Sequence, residues 1–123
     1  MAQYIDGYVV PVPKAKIAAY RALARKMGKL WIEHGALAVH ECVADDVKPG
    51  KLTSFPQAVM LKDDEVVVFS WIVYPSRRVR DKVNALVMMD PRAQFMEHSA
   101  MPFDGKRMFW GGFKSIVELH AGA

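Results

Sequence analysis

The chain has 123 residues, 52% of them hydrophobic and 24% charged, the composition of one ordinary globular domain and not of a disordered or fibrous chain. Its net charge of +4 is spread over separate Lys and Arg positions instead of one basic stripe with interleaved aromatics, so no nucleic-acid partner is expected. The lone Cys42 excludes an intrachain disulfide and a multi-cysteine zinc site, and no apolar run approaches the roughly 18 residues that span a bilayer, so the expectation is a single cytoplasmic domain over 1–123 with no membrane partner.

Residues 4–12, YIDGYVVPV, read as a first strand, which Pro11 and Pro13 are expected to close off because proline brings no N–H to a ladder. A helix over 14–34 comes next. Ile17, Tyr20, Ala24, Met27, Trp31 and His34 recur at three- and four-residue steps, Leu23 and Leu30 widen the stripe, and Lys14, Lys16, Arg21, Arg25, Lys26 and Lys29 fall on the remaining surface. Gly28 inside this helix costs about 1 kcal/mol relative to alanine, which points to a close approach to a strand, and Gly35 is placed to end the helix. Residues 36–44 alternate Leu37, Val39, Glu41 and Val43 against Ala38, His40, Cys42 and Ala44, a second strand. Residues 45–57 read as a turn-rich loop with little regular structure, and 58–61 as a strand-like prelude to the third strand.

That third strand, EVVVFSWIVY over Glu65–Tyr74, has no polar face. Val67, Phe69, Trp71 and Val73 alternate with Val66, Val68, Ile72 and Tyr74, and only Ser70 interrupts. Helices can cover one side of it; a second sheet or a second copy of the chain must cover the other, which predicts a homodimer. Ser76 can cap a second helix that turns Val79, Val83, Leu86 and Val87 inward and ends at Asp90-Pro91. A short helix over 92–98, a loop over 99–105 and a last strand over 106–119 complete the order β-α-β-β-α-β, with Gly111-Gly112 marking a bulge or a close approach.

The segments YIDGYVVPVPK, DDVKPGKLTSFPQAV, VVFSWIVYPSRRVRD and MPFDGKRMFWGGF together resemble the YbaA-like family of small bacterial proteins of unknown function, over nearly the whole chain. The resemblance implies an α+β fold: a ferredoxin-like unit with a four-stranded antiparallel sheet that pairs with a second copy as a dimeric α+β barrel. It brings no catalytic residues with it. Some barrels of this architecture degrade haem with an Asn, Trp and His set. Here Trp71 could stand for the Trp, but the second helix offers Asn84 and no His, so that pattern is not met.

Candidate ligand-binding residues are therefore taken from the chain itself. Tyr8, His40, Trp71 and Trp110, with Asp6 and Ser70, are expected to line the space between sheet and helices, unless they serve only as core or interface residues. The PFDGKRM segment adds Phe103 as an apolar anchor, an Asp104-Gly105 turn, and Lys106 and Arg107 as cations for an acidic ligand group. His34, His40, His98 and His120 lack a metal-binding spacing, Cys42 and the serines lack a nucleophile context, and the glycines open no helix after a strand, so neither metal nor cofactor is expected. Two functions remain: a homodimer binding a small apolar or aromatic ligand between sheet and helices, or a cofactor-independent oxygenase- or isomerase-type enzyme.

Overall fold

A computed structural model describes residues 2–97 and 100–122. The elements are β1 (Tyr4–Pro13), a 3-10 turn (Lys14–Lys16), α1 (Ile17–His34), β2 (Ala38–Val43), the four-residue α2 (Phe55–Ala58), β3 (Glu65–Tyr74), α3 (Arg77–Met89), a 3-10 segment (Pro91–Glu97) and β4 (Phe109–Lys114). The strands form one open antiparallel sheet in the order β2-β3-β1-β4, the ferredoxin-like arrangement.

Register decides which side chains share a face. Tyr8 lies opposite Ser70 and Trp110, Ser70 opposite Glu41, and Asp6 opposite Ile72, so Asp6, Tyr8, Val10, Val39, Glu41, Val68, Ser70, Ile72 and Trp110 all belong to one face. That face receives the helices. Met27 and Leu30 of α1 and Val83 and Val87 of α3 pack with Ile72 and Tyr74, and Tyr20 packs with Val10, Val12 and Val68. Each such aliphatic side chain contributes about 1.5–3 kcal/mol by leaving water. Asn84 ties the layers together: its side-chain carbonyl accepts from the Trp31 indole N–H and from the Tyr74 hydroxyl, both at 3.1 Å.

The predicted helix ends hold for physical reasons visible here. Gly35 takes φ +128° after His34 and donates its N–H to the carbonyls of Trp31 and Ile32, and a β-carbon on Gly28 would sit 3.4 Å from Val39, the expected approach to a strand. Ser76 accepts from the Val79 N–H at 3.2 Å, the expected cap of α3.

Four expectations are corrected. β1 runs on through Pro11 and Pro13, which pair with Val67 and Glu65. Their missing N–H groups cost nothing to the ladder because β4 pairs only with Tyr4–Val9, and the Pro11 carbonyl on that side accepts from Asp104 instead. The 45–57 loop contains α2, started by Ser54, which accepts from the Gln57 N–H, while the Gln57 side chain takes bonds from Ser54 Oγ and the Gly50 N–H. The S-x-x-Q spacing of a capping box was its signal. Residues 58–61 are no strand: they leave α2 through Met60 at φ 48°. β4 spans six residues, not 106–119, because Asp104 binds the N–H groups of Lys106 and Met108 in a turn and β1 begins at Tyr4, opposite Lys114, beyond which the Ser115 N–H still reaches the Gln3 carbonyl. The short helix predicted over 92–98 is the 3-10 segment; His98 lies outside the described residues.

Candidate functional site

The helix face of β2 carries one carboxylate among aliphatic neighbours. Strand alternation puts Glu41 between Val39 and Val43 on the side facing α1, where the Tyr20 hydroxyl donates to Glu41 Oε1 at 2.7 Å. An outer groove of about 720 Å³ lies between α1 and β2, its apolar wall including Ile17, Ala24, Val39, Val43 and Val68. An inner hollow of about 220 Å³ continues beneath α1, lined by Tyr8, Ser70, Trp31 and Phe103 among others. Both spaces touch Tyr20, Ala24, Gly28, Val39 and Glu41, so the Tyr20–Glu41 pair stands where they meet.

The surroundings tune these groups. Burial raises the pKa of Glu41 above the usual carboxylate range, although hydrogen bonds from Tyr20 and Ser70 pull the other way. Burial, and then the charge of Glu41, push the Tyr20 phenol up; burial, and then Asp6, do the same to Tyr8. The result is an apolar cleft holding a carboxyl group with a hydrogen-bonded phenol beside it, able to accept a hydrogen bond or a proton from a bound molecule.

Of the sequence candidates, the fold brings Tyr8, Ser70 and Phe103 to the inner hollow, with Phe103 edge-on to Tyr20 at 6.0 Å between ring centres. Trp110 stacks on Tyr8 at 5.8 Å, and the Arg80 guanidinium lies 5.7 Å over its ring. His40 and Trp71 do not line the space between sheet and helices. They share the opposite face of the sheet, stacked on each other at 4.8 Å, because Trp71 alternates with the inward Ser70 and Ile72 and His40 with the inward Val39 and Glu41.

The PFDGKRM cations also separate. Arg107 is not available to an acidic ligand: it grips Glu65 through two bonds of 2.7 and 2.6 Å, takes Asp104 at 2.8 Å, and donates to the carbonyls of Val59 and Met60. The Arg107 guanidinium in turn holds both Glu65 and Asp104 below the usual carboxylate range. Lys106 is exposed. A second brace joins the fully buried Asp6 to Arg80 of α3 through contacts of 2.9–3.1 Å. Gly112 makes room for it, since a β-carbon there would come within 2.7 Å of Arg80 and 2.6 Å of the Tyr4 ring.

The other face of the sheet has little cover from its own chain. Val59 and Leu61 pack on Val9 and Val67 at one end. Elsewhere Phe69, Phe109 and Phe113 are 42%, 46% and 65% exposed, alongside the exposed His40 and Cys42 and the half-buried Trp71. No helix of the described residues is long and apolar enough to cross a membrane, and no group of three or more His, Cys, Asp or Glu side chains among them is arranged to hold a metal.

Sequence reasoning missed Glu41, Tyr20 and the cations beside the groove. The available signal was the acid at the centre of Leu37, Val39, Glu41, Val43, an alternating face otherwise wholly apolar.

Residues 3–105 match the model of a family described as protein of unknown function, DUF1428. The chain is 53% identical over 116 residues to the uncharacterized protein YbaA of Escherichia coli K12, covering 94% of this chain and 98% of that one, and it matches YbaA of Shigella flexneri to the same extent. Among solved structures it is similar to a dimeric ferredoxin-like protein from an uncultured marine organism, with a TM-score of 0.61 at 9% identity over 97% of this chain and all of the other. Rv0793 from Mycobacterium tuberculosis superposes with a TM-score of 0.54 at 13% identity over 96% of this chain and 99% of that one. At these identities the two structures speak for the fold alone.

Proposed function

The chain belongs to the DUF1428 family of proteins of unknown function, and we propose that it is a homodimer whose protomers each bind a small apolar or aromatic molecule between the sheet and α1. One observation carries the binding site: a mainly apolar groove whose floor presents the Glu41 carboxyl already oriented by Tyr20. Orientation in advance lowers the cost of binding a donor there. The dimer rests on the exposed aromatics of the uncovered sheet face and is supported by the dimeric state of the marine ferredoxin-like protein. Face-to-face packing of two such sheets would leave both grooves, on the helix side, open. A cytoplasmic location fits the exposed single thiol of Cys42.

The test is a thermal-shift screen of small aromatic and aliphatic metabolites, with mass spectrometry of whatever co-purifies. Compounds that raise the melting temperature of the natural chain should fail with Ala24→Leu, which fills the groove wall. No stabilising compound, or equal stabilisation of the filled variant, would overturn the site.

A second reading comes from one specific observation, the Glu41 carboxyl set in the apolar groove with the Tyr20 phenol hydrogen-bonded to it at 2.7 Å: an isomerase-type enzyme in which Glu41 takes a proton from carbon. Such an enzyme would exchange a substrate C–H for deuterium in heavy water. Glu41→Gln should abolish the exchange while binding persists; exchange that survives the substitution would sink this reading.

A further inference from the structure

The rim of the α1–β2 groove is as distinctive as its floor. Arg21, Arg25 and Lys29 are spaced four residues apart on α1, which aligns them along one side of the helix, and all three border the groove. None of them forms a salt bridge among the described residues. Glu33, the acid at the same rim, is held elsewhere by Arg92 at 2.7 Å. Three uncommitted cations therefore stand above an apolar wall, with one hydrogen-bonding carboxyl at its floor. A neutral apolar ligand would use the wall and leave the rim idle.

We propose that the ligand of this groove is an amphipathic organic acid carrying a hydroxyl at the end remote from its carboxylate. The carboxylate meets Arg21, Arg25 and Lys29, the apolar body lies along Ile17, Ala24, Val39 and Val43, and the remote hydroxyl donates to Glu41. Arginine suits the head group because its planar fork matches a carboxylate with two parallel bonds. Glu41 suits the tail because a carboxylate has more acceptor positions than the bonds from Tyr20 and Ser70 occupy. Opposite charges at the two ends also fix the direction in which such a ligand enters: a carboxylate at the floor would face Glu41. The proposal rests on the reading of this cleft as a ligand site and adds the chemical class.

Three probes with one shared apolar body separate the two claims: naphthoate, a hydroxynaphthoate with its hydroxyl on the distal ring, and naphthol. Calorimetric titration measures affinity, and backbone amide NMR shifts locate the probe. The hydroxynaphthoate should bind most tightly, and naphthol, lacking the head group, about tenfold more weakly, a difference of about 1.4 kcal/mol. The Arg21→Gln, Arg25→Gln double variant, checked for an unchanged melting curve, should erase that difference, and added salt should shrink it in the natural chain. Glu41→Gln should narrow the gap between hydroxynaphthoate and naphthoate. Should naphthol match the acids, or the double variant keep the preference, while shifts still map to Ile17, Val39 and Val43, the acid proposal falls and the cleft reading stands. Shifts confined to the Phe69 and Phe113 face, or no binding by any probe, would overturn both.

Discussion

The two faces of β3 are nearly equal in hydrophobicity and opposite in fate. Val66, Val68, Ser70, Ile72 and Tyr74 lie under the helices, while Phe69, Trp71 and Val73 look outward with only a fringe of cover, Phe55 of α2 edge-on to Phe69. The difference lies in polar company. The helix face carries Asp6, Glu41 and Ser70 among its apolar residues, and both acids have partners there, Arg80 for Asp6 and Tyr20 for Glu41. The outward face offers aromatics with few polar groups, a surface that can be satisfied by simple contact. Apolar content alone thus marks β3 as covered twice, and exposure tells the two sides apart: Ser70, Ile72 and Tyr74 are buried by the chain itself, whereas Phe69 is 42% exposed.

Breaking the polar brace of the helix face should have the largest effect. Asp6→Ala leaves Arg80 against Tyr4 and Trp110 without its carboxylate and should cost about 3–5 kcal/mol, read from denaturant unfolding. A loss under about 1 kcal/mol would show the pair to be dispensable. Gly112→Ala attacks the same brace by sterics and should cost about 1–3 kcal/mol, since the new methyl meets Arg80 and Tyr4.

On the outward face, Trp71→Ala should act mainly on association, weakening the dimer by about 2 kcal/mol, roughly thirtyfold in Kd, as loss of an aromatic anchor does. Sedimentation over a dilution series checks this; an unchanged dimer would show that Trp71 faces solvent in the assembly.

Titration sharpens the contrast further. Glu65 is held below its ordinary pKa by Arg107, and Asp90 by Arg92 and His34, so both bind fewer protons folded than unfolded. Their stabilisation is present above the ordinary carboxylate range of about pH 4 and is lost as pH falls below that range through their lowered folded values. Glu41 has the opposite sign. Its raised pKa means that the folded chain takes up the proton first, so acidification toward the ordinary glutamate value of about 4.3 adds stability at this position. Melting curves across this range should show Glu41→Gln losing ground to the natural chain as pH falls toward that value; a constant gap would mean that Glu41 titrates as a solvated acid. The smallest effect belongs to Lys106→Ala, within about 0.5 kcal/mol, whereas Arg107→Ala should lower the melting temperature by several degrees.

The contrast between those neighbours shows what a sequence can and cannot carry. Periodicity placed α1, α3 and β3, and turn chemistry placed Gly35 and Ser76, because these signals are local. The two-sided apolarity of Glu65–Tyr74 also pointed to an outside cover. What escaped was everything set by register and long-range pairing. Lys106 and Arg107 are adjacent cations in the chain, yet only Arg107 reaches Glu65, 42 positions away. His40 and Trp71 have the chemistry of site residues, but the one-residue alternation of β2 and β3 turns them to the far face. Glu41, on the near face, is hidden in the sequence by ordinary strand alternation.

The division of the sheet into a self-covered face and a partner-covered face is tested most directly by the mass of the chain in solution. Sedimentation equilibrium at low micromolar concentration should return twice the 13.8 kDa chain mass. A stable, folded species at the single-chain mass would contradict it, because a monomer would then leave Phe69, Phe109 and Phe113 42%, 46% and 65% exposed to water.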